Sequence, residues 1–154
     1  MTLAIDIEDE AWDTLPGLSR LAEEAAAAAL AGRGVNGAVT LLFTSDAEMQ
    51  ALNKQWRGKD KPTNVLSFPA AGGMPVPAGE DPPLGDIALA FQTVAREAAE
   101  QGKSLAHHTS HLIVHGVLHL LGYDHEEDGE AEEMENEERM ILARLGIADP
   151  YTTP

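Results

Sequence analysis

The chain has 154 residues, 44% of them hydrophobic, with no cysteine and 26 acidic against 10 basic side chains, a formal net charge of −16. These figures exclude a disordered chain, disulfides and any cysteine-ligated metal, so a metal would need His or carboxylate ligands. The length suits one domain over residues 1–154 with a real core, and the acidic excess speaks against a broadly basic, nucleic-acid-coating surface.

The start, Met1-Thr2-Leu3-Ala4-Ile5-Asp6, has neither a basic segment nor a long apolar run, so no signal peptide is expected. The longest helix-like apolar run, Ala25 to Ala31, is too short to span a bilayer, and a cytoplasmic protein is the expectation. Leu3 to Ile7 alternates apolar and acidic residues and predicts a strand with Leu3, Ile5 and Ile7 on its buried face. Trp12 to Leu15 lead into a helix with Pro16 near its first turn, running through Leu18, Leu21, Ala22 and Ala25 to about Leu30 and stopped by Gly32 and Gly34. Its small residues 25–30 suit close packing on a sheet.

Ala38 to Thr44 is a second, central strand. Ser45-Asp46-Ala47-Glu48 is a capping box opening a helix with Met49, Leu52 and Trp56 at helical spacing, which delivers Arg57 at its end. Gly58 to Thr63 is a loop, and Asn64 to Phe68 a third strand. The Pro- and Gly-rich stretch from Pro69 to Pro83 reads as an exposed loop. Gly85 to Ala90 is a fourth strand, and Gln92 to Gln101 a helix ended by Gly102. Ser104 caps a helix to Leu121 whose apolar residues Leu112, Ile113, Val117 and Leu118 make it the buried central one. The last helix, Glu130 to Leu145, carries Met134, Ile141 and Leu145 on one face.

Charge is unevenly spread. Glu126 to Glu138 holds nine acids and no base, and reads as a solvated helix face. Lys54, Arg57, Lys59 and Lys61 fall together with only Asp60 opposing them, so the local field there is positive although the chain is acidic.

The chemistry concentrates in His115-Gly116-Val117-Leu118-His119-Leu120-Leu121-Gly122-Tyr123-Asp124-His125. Two histidines four apart lie on one helix face, about 6 Å apart along the axis. Gly122 ends a helix in the left-handed conformation, and the turn brings His125 round to His115 and His119. Three imidazoles make an open site for Zn2+, with a fourth position left for water or substrate. His107 and His111 extend the stripe; a second metal site or a hydrogen-bonding role for His111 behind the first site are both compatible with it. His108 lies on another face. Asp124 is either a turn residue or a carboxylate orienting a ligand imidazole, and Tyr123 is a packing residue. Arg57 alone reads as compensation of a helix dipole.

The spacing H-x-x-x-H-x-x-G-x-x-H is that of the metzincin proteases, except that Gly116 stands where they carry a general-base Glu. With Gly116 and the continuation Leu-Gly-Tyr-Asp-His, the segment resembles the YbeY family of bacterial rRNA-maturation endoribonucleases. Arg57-Gly58-Lys59-Asp60-Lys61-Pro62-Thr63-Asn64-Val65-Leu66-Ser67-Phe68-Pro69 is similar to that family's second characteristic segment, as are Gly85-Asp86-Ile87 and Asp149-Pro150-Tyr151. Asn64 stands where many members carry Asp. The similarity runs from about Leu41 to Tyr151; the N-terminal forty residues are placed by pattern only.

The resemblance implies an α+β fold, a small mixed four-stranded sheet packed with about five helices, and a metzincin-like zinc site on a central helix. It implies His115, His119 and His125 as zinc ligands and Arg57 as the functionally important arginine. The implied activity is zinc-dependent, single-strand-specific endoribonuclease action in 16S rRNA 3′-end maturation and ribosome quality control. The implied partners are single-stranded RNA, the ribosomal small subunit and an Era-type GTPase, with no membrane. Two rivals follow from the same residues: a metallopeptidase, against which Gly116 argues, and a non-catalytic ribosome-assembly factor whose zinc is structural.

Overall fold

The computed structural model describes residues 1–31, 33, 35–70, 79–124 and 127–151. Four strands, β1 (Thr2–Ile7), β2 (Ala38–Thr44), β3 (Val65–Pro69) and β4 (Pro83–Ala90), form one mixed sheet in the order β1-β2-β4-β3. The first three in that order run parallel, and β3 pairs antiparallel with β4. Five helices accompany it: α1 (Leu18–Leu30), α2 (Asp46–Arg57), α3 (Phe91–Glu100), α4 (Leu105–Leu120) and α5 (Asp128–Arg144). The α+β expectation therefore holds, with β2 interior as predicted. No described helix is long and apolar enough to cross a membrane.

Alternation along the strands splits the core in two. Val39, Leu41, Phe43, Ile87 and Leu89 join α1, α4 and α5 in the main core. Leu66, Ala88 and Ala90 face the other way and pack under Met49 of α2. Helix α4 is indeed central, with Leu112, Ile113, Val114, Val117 and Leu118 buried. Trp12 is wholly buried; its indole donates to the Thr44 carbonyl at 2.9 Å and its ring meets Phe43 and Phe91 edge-on.

Several local expectations shift. Ile7, at the end of β1, is exposed. Trp12 lies in a separate 3-10 turn, Glu10–Thr14, and α1 starts only after Pro16, at Leu18. The small face of α1 packs chiefly on α4 rather than on the sheet. Gly32 and Gly34, the expected stop, lie outside the described residues, as do residues 71–78 of the Pro69–Pro83 loop; Pro69 itself ends β3 and Pro83 opens β4. Trp56 is 64% exposed, although its spacing continues the apolar stripe of Met49 and Leu52.

The caps follow the sequence. Ser45 accepts from the Glu48 amide at 3.2 Å, and Ser104 from the His107 amide at 3.0 Å. Helix α3 has no cap of its own; Asp46 supplies one from α2, accepting from the Thr93 amide and hydroxyl, each at 2.9 Å. Removing the α4 cap by Ser104→Ala is expected to lower stability by about 1 kcal/mol, read as a lower urea midpoint at unchanged slope.

Candidate functional site

Helix α4 presents His115 and His119 on one face, and their Nε2 atoms stand 3.1 Å apart. The rings meet edge-on with centroids at 4.6 Å. The helix ends as expected, with Gly122 at φ 99°. His125, the third ligand of the sequence reading, lies outside the described residues. Among the described residues no group of three His, Asp or Glu side chains is arranged to hold a metal.

Behind this pair lies a carboxylate that the charge pattern concealed. Glu138 of α5 belongs to the acidic run read as a solvated face, yet it is completely buried. Its Oε1 contacts His115 Nδ1, and its Oε2 contacts the Tyr151 hydroxyl and, at 3.4 Å, His111 Nε2. Burial pushes the Glu138 carboxyl up. The hydrogen bonds from His111, His115 and Tyr151 outweigh it and hold the group at about 2, so it is ionised. Burial, reinforced by that carboxylate, pushes the Tyr151 hydroxyl above its ordinary range, so it stays protonated and donates.

An ionised carboxylate only accepts, so His115 must donate from Nδ1. That leaves the lone pair of a neutral His115 on Nε2, pointing at His119. Two ring nitrogens bound to one tetrahedral zinc, at bonds of about 2.0–2.1 Å, stand about 3.3 Å apart. The 3.1 Å observed between His115 and His119 fits that separation, and the carboxylate–imidazole arrangement is one that metal-ligating histidines use.

His111 takes the hydrogen-bonding alternative, with Nε2 also 3.3 Å from the Tyr151 hydroxyl. His107 is exposed at the start of α4. His108 is buried and bonded through Nε2 to Glu97 at 3.0 Å; burial lowers its pKa, which keeps it neutral and donating. Glu97 also accepts from the Asn64 amide at 2.9 Å. An Asp at position 64 could not make that bond. A cleft of about 370 Å3 opens here, lined by Asn64, Lys103, His108, His111, His115 and Tyr151. Tyr123 packs against the main core, and Asp124 is half-buried in the turn after α4.

Gly116 faces the sheet. A Cβ there would stand 2.9 Å from Cγ2 and 3.0 Å from Cδ1 of Ile87, and the Gly116 carbonyl accepts from the Ser67 hydroxyl at 3.1 Å. The place of the protease Glu is thus occupied by a close helix–sheet contact. Arg57 is exposed in the last turn of α2, on the opposite side of the sheet from α4, so the structure assembles the histidine pair without it.

Glu138 and Tyr151 are the residues sequence reasoning missed. Glu138 follows Met134 by four residues and precedes Ile141 by three, which places it on the apolar face of α5. That spacing was the available signal.

The chain is similar to known proteins over nearly its whole length. The family model described as Endoribonuclease YbeY matches residues 5–146, reaching back through the N-terminal segment that pattern alone had placed. The Endoribonuclease YbeY of Azorhizobium caulinodans is 52% identical over 159 residues, covering 100% of this chain and 98% of its own. That of Chelativorans sp. is 58% identical over 141 residues, covering 92% of this chain and 85% of its own. The solution structure of TM1509 from Thermotoga maritima, 25% identical, superposes with a TM-score of 0.55 over 99% of this chain and 100% of that one. Matched by that family model over residues 5–146 and by relatives at 52% and 58% identity, the chain belongs to the Endoribonuclease YbeY family.

Proposed function

We propose that this endoribonuclease cleaves single-stranded RNA at a zinc centre held by His115, His119 and His125, acting in 16S rRNA 3′-end maturation and ribosome quality control. The observation that carries the zinc reading is the pair of Nε2 atoms 3.1 Å apart, backed by an ionised carboxylate that directs the lone pair of His115 toward its neighbour. When bound, the metal supplies Lewis acidity at the scissile phosphodiester. Glu138 holds the His115 ring in its ligating tautomer, and His111 and Tyr151 hold Glu138. Arg57, which stands across the sheet from the histidine pair, is placed too far round to meet charge developing on the phosphorus there, and with Lys54, Lys59 and Lys61 it holds backbone phosphates of the bound RNA. The ribosomal small subunit and an Era-type GTPase are the proposed partners, and the cytoplasm the proposed site of action.

The test is single-turnover cleavage of a short single-stranded RNA by zinc-loaded protein, beside a His115→Ala, His119→Ala double variant purified identically. Cleavage by the wild type alone, with metal content lost in the variant, is the expected result. Equal cleavage by both would identify a contaminating nuclease. Zinc-loaded wild type that leaves RNA intact would favour the assembly-factor reading.

A further inference from the structure

The side of the sheet away from α4 is only partly covered. Met49 closes one end over Leu66, Ala88 and Ala90. Beyond it an open groove of about 460 Å3 runs between α2 and the strands, lined by Thr40, Leu42, Leu52, Trp56, Phe68 and Asp86. Trp56 is 64% exposed there, whereas Trp12 is wholly buried. The Trp56 and Phe68 rings meet at 68° with centroids 6.0 Å apart, forming a two-ring corner that leaves aromatic surface open to the groove.

The charge around this corner is unlike that of the rest of the chain. Against a net of −16, Lys54, Arg57, Lys59 and Lys61 all lie within five residues of Trp56. Among the described residues, Lys54 meets an acid only at 3.9 Å, in an exposed pair with Asp60, and no ion pair engages Arg57, Lys59 or Lys61. An exposed tryptophan ring, flanked by the half-buried Phe68 and by unengaged cations, is the combination that holds single-stranded nucleic acid, with stacking for the bases and charge for the phosphates.

We propose that the Trp56–Phe68 corner is a base-binding subsite for single-stranded RNA, separate from the histidine pair; this rests on the ribonuclease reading above. Phe68 is paired with Asp86 across β3 and β4, so a base stacked on the corner lies beside a carboxylate acceptor. That acceptor suits bases with an exocyclic amine, adenine or cytosine, over uracil. Strand β3 is an edge strand of the sheet, and its consecutive residues serve opposite faces: Ser67 bonds to α4 at Gly116, and Phe68 lines the groove. An RNA segment lying over that edge reaches both the groove and the histidines.

The experiment measures binding of short 5′-labelled oligo(A), oligo(C) and oligo(U) by stopped-flow anisotropy, ahead of cleavage, to the full chain and to Trp56→Ala, Phe68→Leu and Asp86→Asn. The expected result is tighter binding of oligo(A) and oligo(C) than of oligo(U). Trp56→Ala should weaken oligo(A) binding about tenfold or more with unchanged circular dichroism, and Asp86→Asn should erase the preference over oligo(U). If Trp56→Ala binds as the wild type does while cleavage still needs His115 and His119, the subsite is overturned and the ribonuclease reading stands. If the wild type neither binds nor cleaves, both fall. Trp56 emission that shifts with protein concentration alone would assign the groove to a second copy of the chain and overturn the proposal.

Discussion

A Gly116→Glu variant, which restores the protease pattern in the sequence, is expected to lose the native fold and to gain no peptidase activity. The Cβ position already stands 2.9 Å from Ile87, itself wholly buried and β-branched, so the side chain has few ways to yield. A carboxylate added beyond that Cβ would be driven between α4 and β4 against Ile87 and the Ser67 hydroxyl, at a cost of about 3 kcal/mol or more from overpacking and the burial of a charge. Gly116→Ala isolates the steric part. The extra methyl should cost about 1–3 kcal/mol, reduced by the roughly 0.5–1 kcal/mol that Ala gains over Gly in a helix. Repeating it with Ile87→Val, which removes the Cδ1 methyl, should return part of the loss. Urea denaturation followed by circular dichroism reads all of these. A Gly116→Glu chain with a wild-type midpoint would overturn the account of the helix–sheet contact, and peptide cleavage by it would revive the metallopeptidase.

The second large effect is expected at Glu138. Glu138→Ala leaves the donors of His111, His115 and Tyr151 facing an apolar hole, and should cost about 3–5 kcal/mol, in the range of breaking a buried charged pair. Glu138→Gln is the sharper probe because it keeps the volume. If the new amide turns its NH2 toward His115, Nδ1 must become an acceptor and the ring proton moves to Nε2, which removes the lone pair from the side facing His119. Zinc affinity, measured by competition with a chelator, should fall about 10–100-fold, the usual loss when a partner behind a metal ligand is removed. Equal zinc affinity in Glu138→Gln and wild type would show that the carboxylate serves packing alone.

These two positions also mark how far the sequence could be read. Gly116 was legible as a departure from the protease pattern, but not as a helix–sheet contact, because its neighbour Ile87 is remote in the chain. Glu138 was misread because composition averages over a helix: nine acids among the thirteen residues 126–138 suggest solvent, and only the spacing from Met134 and Ile141 separates the one that turns inward. Trp56 failed in the opposite sense. Its spacing from Met49 and Leu52 continues an apolar stripe, yet at the last turn of α2 the sheet offers it only the edge-on Phe68 ring, so most of the indole stays exposed.

By itself the sequence determined what depends on near neighbours along the chain. The Ser45 and Ser104 caps, the order of strands and helices, the pairing of His115 with His119 and the turn at Gly122 all follow from local hydrogen bonding and helical periodicity. Only the tertiary structure decided what depends on elements distant in sequence. It set α5 behind α4, which buries Glu138 against His115; it brought the Tyr151 hydroxyl to the same carboxylate; and it left the groove beside Trp56 open. The physical reason is that a carboxylate's ionisation and a ring's exposure are set by what packs against them, and that is chosen by the whole core at once.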